Sequence, residues 1–547
     1  MEYGGQLTGG RRPILRARAA VPASTTRRLR AAGACGLAVL ALGAAAHPAA
    51  AAEATFDIVA IDVDGNTLLD PATLEDAIYP YMGPARTRAD VEAAQKALEK
   101  AYQAKGYQSV LVEVPRQTVD SGLIKIHVVE VPVGHVRVIG SKYHSLAKVR
   151  DDIPALTEGK VADFQAAQAQ IQEANRLPDR QVAPIIHPGQ VPGTIDVDLK
   201  VSDAAPLHAS VELNDQHSDF TEPLRLTANV RYDNLWQLGH SLSLTYAVAP
   251  QRRMDGEVFA ASYVAPIWNT PFSVLVFGFD SNSDLATIGG VHVLGKGYDI
   301  GARAIYQLPA HGSISQSVSA GLDYKHFADV VRLGSGLESP GAVDYAPISV
   351  TYSLRRQAEA VTTASAAITA NFRGFGANDV GFEEKRTFSR ANFIRFNLDL
   401  EHTQPLWAGF EADARLSGQV TNTALVSSEQ FAIGGASSVR GYLEAEATVD
   451  DGGFGSLELR SPWLFRSAPK LIDNFRLFAF FDAGAGRVRF PQPEQEGDFV
   501  LMSAGLGARF LLLDHLRGDV FAATPLKPGP TRVEGHTYGA FSLKADF

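Results

Sequence analysis

Ile394-Arg395-Phe396-Asn397-Leu398-Asp399-Leu400-Glu401 alternates apolar and polar side chains without a break. In an extended chain, successive side chains point to opposite faces. Ile394, Phe396, Leu398 and Leu400 therefore share one apolar face, while Arg395, Asn397, Asp399 and Glu401 share a polar one. The same period runs through residues 224–233, where Leu224, Leu226, Ala228, Val230 and Tyr232 interleave with Arg225, Thr227, Asn229, Arg231 and Asp233. It returns after the Gly239-His240 turn in Leu242, Leu244, Tyr246 and Val248. One face suits lipid and the other suits water, the two-residue signature of a transmembrane barrel strand. A soluble sandwich would also alternate, but it would bury both apolar faces in a shared core. The charged faces and an export segment at the N-terminus favour the barrel. Residues 205–547 have room for about 16 strands at roughly 20 residues for each strand with its turn or loop.

The chain ends in the same pattern. Phe541, Leu543, Ala545 and Phe547 share one parity, opposite Ser542, Lys544 and Asp546. A terminal phenylalanine closing an amphipathic strand resembles the signal by which barrels are recognised for insertion, which implies contact with the barrel-assembly machinery and outer-membrane lipid.

Ahead of the barrel, the N-terminus reads as a targeting segment covering residues 1–52. Arg27, Arg28 and Arg30 precede an apolar run over residues 31–46, and His47-Pro48 and the alanines 49–52 follow, with cleavage expected near Ala52. The run is rich in Ala and Gly and shorter than the ~20 apolar residues of a spanning helix. Cys35, the only cysteine of the 547 residues, lies inside it, so the mature chain is expected to be free of thiols, disulfides and thiolate metal sites. A formal charge of −10 argues against a nucleic-acid partner, which a basic face would serve.

Residues 53–131 and 132–204 read as two copies of one small α+β unit, in the order strand, helix, helix, strand, strand. In the first, a strand over 56–63 ends at Asp64-Gly65-Asn66. A short helix over 71–79 follows, with Asp70 as its N-cap. Val91, Ala94, Leu98, Ala101 and Tyr102 set the helical period of residues 88–105, which Gly106 stops. Strands over 109–114 and 123–131 close the unit. The second copy places strands at 136–139, 181–187 and 194–202 and helices near 146–153 and 164–175. Asp62, Asp64 and Asn66 echo a calcium loop, but its sixth and twelfth positions here are Thr67 and Thr73, so the segment reads as a strand-ending turn.

The densest functional stretch is Glu429-Gln430-Phe431-Ala432-Ile433-Gly434-Gly435-Ala436-Ser437-Ser438-Val439-Arg440-Gly441-Tyr442. Further on stands Phe480-Phe481-Asp482-Ala483-Gly484. On a strand, Phe480, Asp482 and Gly484 share one face, and Leu477, Ala479, Phe481 and Ala483 the other. Asp482 is then expected to point into the lumen with an aromatic ring below it and a glycine above, leaving room for a loop.

These words resemble those of the two-partner secretion transporters, the ShlB/FhaC/HecB family. The module words are Ala101-Tyr102-Gln103-Ala104-Lys105-Gly106-Tyr107, Pro115-Arg116-Gln117, Ser121-Gly122-Leu123, Asn175-Arg176-Leu177-Pro178, Pro188-Gly189 and Pro192-Gly193-Thr194. They resemble the family's POTRA modules. Gly434-Gly435 and Val439-Arg440-Gly441-Tyr442 resemble its loop motif and Phe480-Phe481-Asp482-Ala483-Gly484 its strand motif. The resemblance implies a loop folded back inside the barrel, with Arg440 paired to Asp482. Glu458, of lumen parity with Arg460, is a candidate third member. It also implies an outer-membrane pore of a Gram-negative bacterium whose POTRA modules catch an unfolded exoprotein, of haemolysin or adhesin type, in the periplasm for transfer to the surface. Several family members open with a pore-plugging helix. With the first module starting a few residues after the expected cut, no such helix is expected here, and closure would rest on the Arg440 loop. A barrel-assembly factor shares the loop and strand motifs and stands as the alternative, with a passive porin behind it. No zinc-protease, P-loop or nucleophile-elbow motif occurs, so neither an enzyme nor a cofactor is expected.

Overall fold

The computed structural model describes residues 55–547, apart from 120, 220, 254–255, 269, 284, 289–290, 329, 333–337, 341, 375, 465–471 and 493–494. The expected targeting segment over 1–52, with Cys35 and the expected cleavage near Ala52, lies outside the described residues.

In the first module, β1 (Phe56–Ile58), β2 (Ala60–Asp64), α1 (Pro71–Ile78), β3 (Gly83–Arg86), α2 (Arg88–Ala104), β4 (Leu111–Glu113) and β5 (Leu123–Val129) follow one another. β5 lies between β2, to which it is parallel, and β4, to which it is antiparallel. Ile124, Ile126 and Val128, alternate residues of β5, bury against Val91, Ala94, Leu98 and Tyr102 of α2. Asp70 caps α1 by accepting from Thr73 N at 3.0 Å, and Thr87 with Asp90 forms a capping box at α2.

Three expectations change here. The strand over 56–63 is broken at Val59, because Val59 N and Ala60 N both donate to Gly122 O at 2.8 and 3.2 Å. That shared acceptor lets β1 leave the sheet and pair with β3 instead, a strand whose Gly83-Pro84 sequence carries no strand signal. The strand over 109–114 shortens to β4, since Pro115 cannot donate to the ladder. The Gln117 side chain replaces the missing backbone, donating to Lys125 O at 2.8 Å and accepting from Lys125 N at 2.7 Å.

The second module repeats the order with β6 (Val133–Ile139), α3 (Leu146–Asp151), α4 (Phe164–Ala174), β7 (Arg180–Pro188) and β8 (Ile195–Asp203), and its sheet runs β6-β8-β7. Tight joints connect the pieces. Phe164 N, at the start of α4, donates to Gly106 O at 2.9 Å, tying the two modules. Gln237, in the first barrel turn, donates to Tyr143 O and accepts from Ser145 N, and Lys148 sits 3.4 Å above the ring of Trp268 in the next. His208 bridges Asp179 of the module at 2.9 Å and Asp233 of the barrel at 3.5 Å. The histidines carry no ligand spacing in the sequence, yet the fold brings this one between two carboxylates. Arg231, 2.9 Å from Asp233, already supplies a cation there, so an ion-pair joint accounts for the cluster.

The barrel closes antiparallel from Leu207–Asn214 to Tyr538–Asp546. One strand is interrupted into Val343–Tyr345 and Ile348–Gln357, both paired to Ile314–Phe327, so the described segments make sixteen strands. In Phe393–Pro405, Ile394 and Leu400 are 49% and 38% exposed, and outward residues of other strands, such as Leu457 and Leu506, are also exposed. An apolar face turned outward is what a lipid solvent requires and what a sandwich would forbid. Because the modules meet the turns around Gln237 and Trp268, the loops at residues 372–392 and 422–450 open at the opposite end.

Candidate lumen site

After Glu411–Thr421 the chain does not turn straight into its neighbour strand, Asp451–Arg460. Instead a narrow hairpin, Phe431–Ile433 paired to Ala447–Val449, carries residues 434–446 inward. Gly434, Gly435 and Gly441 have φ of +110°, +106° and +91°, a region that side chains with a Cβ rarely enter, which is why the motif needs glycine at these bends. Gly434 N donates to Ser438 Oγ and Ser438 N to Gly435 O, so the tip is internally braced.

Arg440 is presented at that tip. Its Nε and Nη2 each donate at 2.8 Å to the two oxygens of Asp482, and its backbone N donates to Asp482 Oδ2 at 3.0 Å. Nη1 reaches Glu458 at 2.5 Å and Nη2 reaches Ser456 Oγ at 3.0 Å. The guanidinium carbon sits over Phe480, 3.5 Å from its ring centre. A fork-to-fork ion pair fixes orientation as well as distance, and the ring face adds cation–π attraction. Phe480 and Asp482 are both buried on the lumen side of Ile472–Arg487, while Leu477 and Phe481 are exposed on the other. Gly484, one pleat above Asp482, leaves the space that Ile433 and Val439 occupy: a Cβ there would stand 2.7 and 3.0 Å from their methyls. Tyr442 donates its hydroxyl to Lys527 O at 2.6 Å, and Val439 is fully buried, so the motif residues grip the barrel wall on two sides.

Glu458 belongs to a longer chain of charges. It meets Arg460 Nε at 2.7 Å and Arg509 Nη1 at 2.6 Å as well as Arg440, and beyond these stand Asp413 and Asp519. No sequence motif marks Arg509 and Asp519; the strand register that makes them neighbours is set by the closed barrel. A cavity of about 440 Å³ lies beside this network, lined by Ser437, Arg440, Glu458, Arg509 and Asp519 among others.

The terminal-strand residues sit at the closing seam. Phe541 N donates to Asp215 Oδ1 at 2.9 Å, Leu543 is paired with Leu213, and Phe547 exchanges backbone bonds with Ala209. Arg440, Asp482 and Glu458 are thus in one cluster, and Phe541, Leu543 and Phe547 are in another.

Comparison with known proteins agrees with this architecture. Residues 193–510 match the family described as haemolysin secretion/activation protein ShlB/FhaC/HecB, and residues 56–131 match the ShlB-type POTRA domain. The heme/hemopexin transporter protein HuxB of Haemophilus influenzae is 20% identical over 85% of this chain and 82% of its own. The outer membrane transporter CdiB of Dickeya dadantii is 22% identical over 78% of this chain and 76% of its own. Among solved structures, CdiB from Escherichia coli superposes with a TM-score of 0.65 at 20% identity, covering 92% of each chain. The chain belongs to the ShlB/FhaC/HecB haemolysin secretion/activation family of outer-membrane β-barrel transporters, with POTRA modules in the periplasm.

Proposed function

We propose that this chain carries an unfolded exoprotein of haemolysin or adhesin type from the periplasm to the cell surface by two-partner secretion. The observation that carries the proposal is a lumen loop seated at Arg440 and Tyr442 in a barrel that follows two modules with an open strand edge, a combination of capture surface and displaceable loop that passive diffusion does not need. Capture falls to the modules. β7 is an edge strand of its sheet, with Ile185 and Ile186 exposed along it, and an open edge binds extended chain through backbone bonds whatever the client's sequence. The Arg440–Asp482 pair holds the loop in its resting seat, with Glu458 as a second anchor, and passage of the client displaces it. Folding of the client outside makes return unfavourable and supplies the direction. Outer-membrane lipid surrounds the barrel, and the assembly machinery reads Phe541, Leu543 and Phe547 at insertion.

Deleting the gene and comparing secreted proteins tests the proposal. Loss of one large exoprotein from the medium is expected. Release of every large secreted protein at its former level would overturn it. Loss of many barrel proteins from the outer membrane would favour an assembly factor instead.

A further inference from the structure

The far mouth of the barrel holds a packed apolar cluster that the loop motif does not explain. Helix α5 (Asp379–Lys385) belongs to the loop between Val361–Asn371 and Phe393–Pro405, and its Phe382 is wholly buried. It packs with Phe327, Tyr345 and Phe393 from the strand ends and with Leu425 and Val426 from the neck of the lumen loop. Tyr345 meets Phe382 edge-on at 5.4 Å. Inward faces of a water-filled barrel are polar, so an apolar cluster contributed by several strands and two loops would act there as a stopper that excludes water.

A compact ion square holds the two loops together. Arg386, directly after α5, donates from Nη1 and Nη2 to the two oxygens of Asp450 at 2.6 and 2.7 Å. The same guanidinium donates to Leu425 O at 2.5 Å and Arg489 O at 2.8 Å. Asp450, with no exposed surface, accepts in return from Leu425 N at 2.9 Å and Arg489 N at 2.7 Å. Three loops thus converge on one guanidinium–carboxylate pair. Deeper in, Lys325 donates to Glu429 at 2.7 Å, Tyr345 donates to it at 2.8 Å, and Arg395 pairs with it at 2.9 Å. Backbone pairing between the two loops amounts, among the described residues, to an isolated bridge from Ser389 to Ala424. Side-chain charges, not a strand ladder, hold the stopper shut.

We propose that α5 and the neck of the lumen loop form a gate at the outer mouth, and that Arg386 is its latch, acting on Asp450. The gate is separate from the Arg440–Asp482 seat, since Arg386 and Arg440 hold opposite ends of the same loop and share no partner. An emerging client must displace Phe382, so this inference rests on the secretion reading for its purpose, though not for its detection.

Two measurements on the full-length protein test it. In planar bilayers, Arg386→Ala is expected to raise the fraction of time open at least about tenfold, the shift given by losing charge-assisted bonds in a two-state closure. Arg386→Lys, which keeps charge but loses the fork, is expected to fall between it and the parent. On whole cells, Phe382→Cys in a Cys35→Ser background is expected to resist a membrane-impermeant maleimide and to become reactive when Arg386→Ala is added. Folded protein is confirmed by its shifted band in unheated electrophoresis. Where Arg386→Ala fails to insert, Phe382→Ala carries the conductance test, because it empties the stopper and leaves the ion square in place. Unchanged opening in every folded variant, together with unchanged labelling, overturns the gate. Secretion is followed in the same strains. Gating that responds in a strain whose deletion loses no exoprotein would overturn the secretion reading alone, whereas silent gating with export lost on deletion would overturn the gate alone.

Discussion

Arg440→Ala removes four side-chain bonds at once, but the damage falls unevenly on the partners left behind. Asp482 is fully buried and keeps one donor, the backbone N of residue 440. Glu458 keeps Arg460 and Arg509. Stranding a buried carboxylate by removing its partner costs about 3–5 kcal/mol. Asp482→Ala is gentler, because Arg440 retains Glu458, Ser456 and the face of Phe480, and about 2–3 kcal/mol is expected from the lost charge-assisted bonds. The double variant leaves neither charge stranded by the other and should fall short of the sum by about 1–3 kcal/mol. Reversible urea unfolding in lipid vesicles gives the three free energies. Cleavage by a glutamyl endoprotease at Glu429, Glu444 or Glu446 reports whether the loop has left its seat. Costs that add to within about 0.5 kcal/mol would refute the idea of a coupled lock. So would an Asp482→Ala cost clearly larger than that of Arg440→Ala.

Gly484→Val should unseat the loop without touching a charge, since its side chain would enter the space held by Ile433 and Val439; about 1–3 kcal/mol of overpacking is expected, with a matching rise in endoprotease cleavage. Tyr442→Phe should cost about 1–3 kcal/mol, because the bond to Lys527 O is lost and Met502 N loses the hydroxyl that accepts from it at 3.2 Å, and the urea midpoint checks it. Asp203, at the end of β8, gives a pH prediction. Burial alone would raise its pKa, but donors from Tyr143 N, Lys142 N, His144 and Ser141 outweigh that and hold it down to about 2. A pKa depressed from 3.8 contributes stability that is present above the unfolded value and lost as pH falls from about 4 to about 2. Asp203→Asn should therefore destabilise the second module at neutral pH, and its gap from the parent should close over that acid window. Pulse proteolysis of both proteins, followed down the pH range, reads the gap.

What the sequence made legible was whatever a local period can carry. Alternation in residues 394–401 identifies both the strand and its lipid face, and the parity of Phe480, Asp482 and Gly484 places them on the lumen side before any register is known. Breaks were harder to see. Val59 leaves the first sheet because of a carbonyl at Gly122, far along the chain, and β3 forms in a Gly-Pro segment only because β1 is there to pair with it. The charge networks were the least legible part. Arg509 reaches Glu458, and Arg386 reaches Asp450, only after the barrel has closed and set which strand ends and loops adjoin. Nothing in the residues around Arg386 distinguishes it from a solvated loop arginine. The same holds for His208, whose carboxylates come from a module turn and the next strand.

Passage of a client polypeptide through this lumen can be caught by site-specific photo-crosslinking. Arg415 borders the cavity beside Arg440 and is 42% exposed, so a photoreactive side chain placed there would face the path; it gives up pairs to Glu401 and Asp413 but makes no bond to Arg440 or Asp482. In cells exporting a client stalled by a folded tag, a covalent adduct between position 415 and the extended client is expected. Abundant export of the stalled client with no adduct at position 415 would contradict it.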